Sequence, residues 1–297
     1  MSITVECPHK GYLLEGPHWD DRNQVLYFVD IFDAHVMKWD PTSNKVEKTE
    51  LGEGSIGAAV LTDKGNLLVA VHNRFALLDP KTKQLTEIVD VEGKTKPKNR
   101  FNDGKCDPAG RLWAGSMGPE EVIGGVARGE GSLYCLHQDK TVTRHADDIS
   151  ISNGLAWSSC RKYMYYIDTM KYSVDCFDYD ITTGKTSKRR LAVDTKPEGL
   201  PDGMCIDAED MLWVAIFNGG KVIRYNPRTG KKLLELKFPT LNVTSCCWGG
   251  PNLDILYVTS AKHFLSDDES KAQPNAGALF TVRGLGVKGV KTDIFKE

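Results

Sequence analysis

The chain has 297 residues, of which 40% are hydrophobic and 26% charged, a composition that excludes a disordered or collagen-like protein. Its 38 Lys and Arg residues nearly balance its 40 Asp and Glu residues, which excludes a general attraction to nucleic acid or to an anionic membrane. No apolar run approaches the roughly 20 residues of a membrane span, and the N-terminus lacks a signal-peptide core. We therefore expect a cytoplasmic protein with neither nucleic acid nor membrane as a partner.

Short segments of strand-like composition recur six times along the chain. Each is rich in aliphatic, aromatic and β-branched residues and follows a turn signal. They are VLYFVD at 25–30, NLLVAV at 66–71, RLWAGS at 111–116, YMYYID at 163–168, MLWVAI at 211–216 and ILYVTS at 255–260. Their starts are separated by 46 residues on average, so six units account for nearly the whole chain.

Most of these segments are followed by a second strand that ends in a tight turn. Asp-Pro, Asn-Pro and Thr-Gly pairs supply the turn, as in VMKWDPTSNK at 36–45 and VIRYNPRTGK at 222–231. Long helical periodicity is absent from the sequence. Six units of several antiparallel strands predict an all-β, six-bladed β-propeller that forms one domain over residues 1–297. We expect the segment near Ile3–Val5 to complete the last blade.

A column of polar residues lies nine or ten positions before the recurring segments, where the innermost strand of each unit should begin. The column is Glu15, Ile56, Asn102, Asn153, Asp202 and Ser245. Four members of the column carry a carboxylate or a carboxamide. A glycine follows Glu15, Ile56, Asn153 and Asp202, and these glycines (Gly16, Gly57, Gly154 and Gly203) indicate close approach of the strands. The alternative is that the Asn-Gly and Asp-Gly pairs only form turns.

Oxygen side chains that converge on one axis favour a hard divalent cation, calcium first and then magnesium or manganese. Zinc would more usually recruit His or Cys, and the seven histidines have no zinc-motif spacing. The eight cysteines form no C-x-x-C pair, so they are predicted to be reduced, buried thiols. Arg100, two residues before Asn102, should share its face of an extended segment and could bind substrate hydroxyls or a carboxylate. The alternative for Arg100 is a solvated surface position.

Several blocks resemble the gluconolactonase family of regucalcin-like proteins, also named after senescence marker protein. The blocks are NRFNDGKCDPAGRLWAGSM at 99–117, ISNGLAW at 151–157 and PDGMCIDAEDMLWVA at 201–215. EGPHWD at 15–20 and GGPNLDILYVTSA at 249–261 also resemble the luciferin-regenerating enzymes of the same family. The resemblance implies a six-bladed propeller with one divalent metal in its channel.

Matching motifs carry the site residues of that family onto this chain. The resemblance implies that Glu15, Asn153 and Asp202 bind the metal, which would be calcium first, with magnesium, manganese or zinc as alternatives. It implies that Arg100, Asn102 and Glu120 contact the substrate, and Glu120 has no support other than the resemblance. The implied activity is hydrolysis of sugar lactones such as gluconolactone, with Asp202 as general base or acid.

Three functions remain open on the sequence alone. The first is a metal-dependent lactonase, acting on a small-molecule substrate as a monomer. The second is another metal-dependent hydrolase of the same family, with phosphotriester or luciferin-regenerating chemistry, because the pocket walls decide the substrate. The third is a non-enzymatic calcium-binding regulatory protein, although no EF-hand loop is present.

Overall fold

The computed structural model describes residues 1–52 and 54–297, and these form six antiparallel sheets of four strands arranged in a ring. Blade 1 contains β2 (Leu14–Asp20), β3 (Val25–Asp30), β4 (His35–Asp40) and β5 (Lys45–Glu50). Blade 2 contains β6 (Ile56–Leu61), β7 (Leu67–Val71), β8 (Arg74–Leu78) and β9 (Leu85–Asp90). Blade 3 contains β10 (Arg100–Cys106), β11 (Leu112–Met117), β12 (Gly131–Leu136) and β13 (Val142–Ile149).

The second half of the ring repeats the same order. Blade 4 contains β14 (Ser152–Trp157), β15 (Tyr163–Asp168), β16 (Ser173–Tyr179) and β17 (Thr186–Asp194). Blade 5 contains β18 (Leu200–Ile206), β19 (Leu212–Phe217), β20 (Lys221–Asn226) and β21 (Lys231–Lys237). Blade 6 contains β22 (Val243–Gly249), β23 (Ile255–Ser260), β24 (Ala278–Arg283) and the N-terminal β1 (Ser2–Lys10). The six-bladed propeller is confirmed, and β1 completes the last blade as expected, with Ile3 opposite Val282.

The side chains become more exposed from the innermost to the outermost strand of a blade, in agreement with the change from apolar to charged sequence. The inner strand β6, IGAAVL, is buried at every position, whereas the outer strand β5, KVEKTE, is largely exposed. Charged side chains on the outer strands protect the free edge of each blade from pairing with other chains. A short helix α1 (Asp267–Ala272) and a 3-10 helix (Thr169–Lys171) are the helices of the described residues. Neither has the length or apolar character that crossing a membrane would require.

An aspartate braces the turn between the first and second strands of blades 3 and 5. Asp107 Oδ1 accepts hydrogen bonds from the turn, and Oδ2 accepts one from the Trp113 indole at 2.9 Å. Asp207 makes the equivalent bond to Trp213 at 2.9 Å, and Arg224 is paired with it. These side chains hold the buried tryptophan of each second strand in place, so the repeated turn sequences have a structural role.

The glycines after the column residues mostly act as predicted. A Cβ on Gly57 would lie 2.7 Å from the backbone of Phe101, and one on Gly154 would lie 2.6 Å from the Met204 Cβ. A Cβ on Gly203 would collide with Ser245. The prediction is wrong for Gly16, where a Cβ would meet no atom closer than 3.9 Å. Its φ of +54° is the reason for a glycine there.

All eight cysteines are free thiols, and all except Cys160 are buried. Cys205 and Cys246, on the inner strands of neighbouring blades, have their sulfurs 3.5 Å apart and share a hydrogen bond without forming a disulfide. The C-terminal segment crosses the ends of the inner strands, where Gly289 bridges to Asp207 and Phe295 packs in the core. The inner strands end where this segment crosses them, so they begin at the opposite end of the ring.

Candidate metal and substrate site

One cavity lies at the end of the ring where the inner strands begin. Its empty volume is about 520 Å³ including the opening to solvent, and all six predicted site residues line it. They are Glu15, Arg100, Asn102, Glu120, Asn153 and Asp202. The other two members of the sequence column, Ile56 and Ser245, are buried on their inner strands outside this lining.

Each inner strand is interrupted near its start by a β-bulge. The pairing register shifts at Asn102 in β10, at Asn153 and Gly154 in β14, and at Asp202 and Gly203 in β18. The same shift follows Glu15 in β2. A bulge releases residues from the regular ladder and re-aims their side chains. The Asn-Gly and Asp-Gly pairs therefore lie within bulged strands and not in turns.

Glu15 and Asp202 form a pair of buried carboxyl groups in this cavity. Their exposed fractions are 4% and 7%, and their side chains are hydrogen-bonded to each other. Burial, followed by the charge of Asp103, raises the pKa of Glu15 to about 8. Burial, followed by the charge of Glu15, raises the pKa of Asp202 well above its usual range. Two such groups cannot both ionise at low cost unless a cation lies beside them.

The amide of Asn153 is held in a fixed orientation by Thr169. Asn153 Nδ2 donates to Thr169 Oγ1 at 2.8 Å, and the same hydroxyl donates to the Pro201 carbonyl at 2.8 Å. Asn102 Nδ2 donates to the Ser152 carbonyl at 2.9 Å and approaches Asn153 Oδ1 at 3.3 Å. This arrangement leaves the amide oxygen of Asn153 as its ligand atom.

Arg100 places a cation at the mouth of the cavity. Its Nη1 donates to Asn102 Oδ1 at 2.7 Å, and its guanidinium lies 5.2 Å from the centre of the Phe32 ring. Burial lowers its pKa to about 10, against the opposing charges of Glu120, Glu15 and Asp202, so it stays protonated at neutral pH. Arg100 is thus half-buried in the site and not a solvated surface residue.

Glu120 reaches the cavity from the loop after β11. Its Oε1 accepts a hydrogen bond from the Gly124 amide at 2.7 Å, and burial raises its pKa despite the nearby charge of Arg100. The other carboxylate oxygen remains available to a ligand beside Arg100. The structure therefore brings the residue suggested only by resemblance to the same cavity as the rest.

Sequence reasoning missed residues that follow the second strand of each blade. Antiparallel pairing brings the end of a second strand to the same end of the ring as the start of its inner strand. Thr169 follows β15, Phe217 ends β19, and His263 and Phe264 follow β23, and all four line the cavity. The register of the repeat gives a positional signal for Thr169 and Phe217, which directly follow the segments at 163–168 and 211–216. His263 and Phe264 lie three and four residues beyond the segment at 255–260, so the register does not mark them.

The donor set fits a hard divalent cation. Among residues 1–52 and 54–297, no group of three His, Cys, Asp or Glu side chains is placed to hold a metal. The predicted set instead combines two carboxylates, from Glu15 and Asp202, with the amide oxygen of Asn153. Carboxylate and amide oxygens are the ligands that calcium, magnesium and manganese prefer, and the raised pKa values mark a place where positive charge is lacking.

A family model described as the SMP-30/Gluconolactonase/LRE-like region matches residues 13–262. The chain belongs to this family. Regucalcin of Xenopus laevis is 44% identical over 297 residues, which covers 99% of each chain. These SMP-30/gluconolactonase relatives therefore extend over the whole propeller, including the blade that the N-terminal strand completes.

Two solved structures of the family are closely similar in fold. A luciferin-regenerating enzyme has a TM-score of 0.92 and 36% identity over 100% of both chains. A calcium-binding protein, regucalcin, from Agrobacterium tumefaciens has a TM-score of 0.92 and 29% identity, covering 99% of this chain and 97% of its own. The SMP-30/gluconolactonase family thus includes proteins that are named for lactone, luciferin and calcium functions.

Proposed function

We propose that this protein is a divalent-metal-dependent lactonase that opens sugar lactones or related cyclic esters. The observation that carries the proposal is the contact between the buried carboxyl groups of Glu15 and Asp202 beneath Arg100 and Asn102. Carboxylates packed together without a bonded lysine or arginine call for a cation, and a cationic arginine at the mouth suits a polar or anionic product. Family membership supports the same class of reaction.

Glu15, Asn153 and Asp202 would hold the cation through their oxygen atoms, calcium first, with magnesium, manganese or zinc as alternatives. When bound, such an ion supplies a Lewis acid for the lactone carbonyl. Thr169 holds the Asn153 amide so that its oxygen is presented without reorganisation. The metal shell is thus built by side chains from three blades, on strands whose bulges fix their direction.

Asp202 would move the proton in the reaction. Its carboxylate accepts a proton from the attacking water, and the carboxylic acid then returns it to the ring oxygen that leaves. The product is the open hydroxy acid, so one water is consumed for each ring opened. Arg100, Asn102 and Glu120 orient the hydroxyl groups of the substrate, which converts binding into correct placement.

The test is a panel of lactones and phosphotriesters, assayed after chelation and after readdition of calcium, magnesium, manganese and zinc. Metal-dependent lactone opening that is lost in Asp202→Ala supports the proposal. A calcium-loaded Asp202→Ala protein that opens gluconolactone at the parent rate would exclude the role of Asp202. Tight calcium binding without turnover of any ester would exclude the enzyme in favour of a regulatory calcium-binding protein.

A second candidate is the chemistry of the luciferin-regenerating enzyme, favoured by the 0.92 TM-score over both full chains. Its support is similarity of fold and sequence, whereas the polar groups of the cavity suit either chemistry. We further propose that the protein acts as a monomer in the cytoplasm on a small-molecule substrate, without nucleic acid or membrane as a partner. Light scattering and fractionation would test those two points.

A further inference from the structure

The cavity offers few free polar groups to a fully hydroxylated sugar lactone. The Thr169 hydroxyl is used by Asn153 and by the Pro201 carbonyl. Both ends of the Asn102 amide already have partners, in Ser152 and in Arg100. With the metal ligands set aside, the groups left for a substrate are the remaining Arg100 nitrogens, one Glu120 oxygen, the second lone pair of Asn102 Oδ1, and Nε2 of His263, whose Nδ1 contacts the Tyr12 hydroxyl.

The remaining walls of the cavity are apolar. The lining includes the apolar side chains of Leu13, Ile31, Ile151, Leu200, Phe217 and Phe264. A hydroxyl group that is moved from water onto such a wall loses its hydrogen bonds without replacement. A lactone with a hydroxyl group on nearly every carbon would therefore leave several of them unpaired, whereas an apolar substituent would fit the same walls.

Exposed aromatic residues continue the apolar wall outward from the mouth. Tyr12 is 43% exposed and Phe32 is 41% exposed. The Phe32 ring centre lies 4.8 Å from that of His263 and 6.3 Å from that of Tyr12. Burial lowers the pKa of His263 to about 4, so this wall is uncharged at neutral pH. Apart from the Arg100 guanidinium over Phe32, these rings retain exposed surface, and covering that surface would be favourable.

The rim and the inner wall meet at Arg100. Its guanidinium lies over the Phe32 ring at 5.2 Å and also lines the cavity. A ligand whose polar end is held between Arg100 and Glu120 would therefore have its other end against Phe32 and His263.

We propose that the preferred substrate is a lactone with few hydroxyl groups and an apolar substituent, which packs on the rim formed by Tyr12, Phe32 and His263. The inference rests on the proposed lactonase function and specifies its substrate class. Phe32 is the specificity-determining residue, because it joins the rim to the cavity while remaining outside the core.

The experiment compares gluconolactone, unsubstituted δ-valerolactone, and a δ-valerolactone with a phenyl group on the carbon next to the ring oxygen. Each rate is divided by the uncatalysed rate of the same lactone. We expect kcat/KM for the phenyl lactone to exceed that for gluconolactone by about tenfold. In Phe32→Ser, the KM of the phenyl lactone should rise about fivefold or more, with little change for gluconolactone.

Leu191→Ser is the matched control, because Leu191 is 64% exposed on β17 and lies outside the cavity. It should change neither KM. A second readout is thermal protection by the phenyl-substituted cyclic ether that lacks the carbonyl, which should stabilise the parent protein and not Phe32→Ser. Equal losses for both lactones would assign Phe32 to holding Arg100 and overturn the inference.

The outcomes distinguish failure of the proposed substrate class from failure of the proposed lactonase function. Preferential turnover of gluconolactone over the phenyl lactone would overturn the substrate class and leave the lactonase standing. Absence of metal-dependent opening of any lactone would overturn both. Preference for the phenyl lactone that Phe32→Ser removes would establish the rim as the specificity element.

Discussion

Thr169→Val is the sharpest test of how the site is held together. Valine matches threonine in shape but removes a hydroxyl that bridges the Asn153 amide and the Pro201 carbonyl with two bonds of 2.8 Å. Thr169 is only 4% exposed, so the two groups it leaves cannot recover full hydration. The substitution therefore changes the support of a predicted metal ligand without changing any predicted ligand.

The expected loss follows from those two bonds. Each buried bond contributes about 1 kcal/mol, and orphaned partners raise the total to about 2–4 kcal/mol. For a chain of this length, this corresponds to a fall in Tm of about 3–6 °C. Releasing the Asn153 amide should also weaken calcium binding by about tenfold to a hundredfold, the usual effect of losing an outer hydrogen bond to a ligand.

Thermal unfolding of the metal-free protein and calorimetric titration with calcium measure the two effects. Thr169→Ser keeps the hydroxyl and should retain the affinity. Thr281→Val is the matched control, because Thr281 is fully buried and its hydroxyl has no partner among the described residues. Parent-like calcium affinity in Thr169→Val, or an equal loss in Thr281→Val, would refute the assignment of Thr169.

Three further outcomes are expected. Apparent calcium affinity should rise as pH increases toward 8, because Glu15, with its pKa of about 8, must release a proton to bind a cation. Calorimetric titration in buffers of different ionisation enthalpy measures the number of protons released, and a calcium affinity that does not change with pH would contradict this expectation. Burial lowers the pKa of His18 from 6.5 to about 4, so the stability that its neutral form contributes is complete above pH 6.5 and is lost as the pH falls to 4. In denaturant unfolding, His18→Gln should reduce the pH-dependent change in the free energy of unfolding by about 3 kcal/mol. An unchanged pH profile in His18→Gln would contradict this assignment. Gly57→Ala should cost about 1–3 kcal/mol in the same assay, since its Cβ would lie 2.7 Å from the Phe101 backbone, and a parent-like midpoint would contradict that crowding.

The repeat made the fold predictable from the sequence. The segments at 25–30, 163–168 and 255–260 coincide with β3, β15 and β23, and the other three are shifted by one residue at one or both ends. Strand composition recurs at intervals of 41 to 52 residues because every second strand is buried between neighbouring blades. The same register identified the start of each inner strand, and so the positions that the bulges direct into the cavity.

The repeat register does not predict the other residues of the site. Glu120 and Ile123 come from an irregular loop, and no period fixes where a loop side chain lies. In the aromatic rim, Tyr12 and Phe32 flank the paired strands β2 and β3 of blade 1. His263, which follows β23 of blade 6, meets them only because the ring closes. Thr169 was overlooked for a different reason: one threonine after a strand has no distinctive pattern until its hydrogen bonds are known.

Ring closure also sets an order on folding. Thr4 of β1 contacts the Thr281 backbone across 277 residues of chain, so β1 can pair only after β24 has been synthesised. Such a distant contact is costly in loop entropy and slow to form. Until β24 is made, the outer position of blade 6 is empty and β1 has no partner. A chaperone that shields β1 during this time would therefore affect closure of the whole ring. Rejoining the ends elsewhere, between two complete blades, would remove that wait while leaving the cavity unchanged.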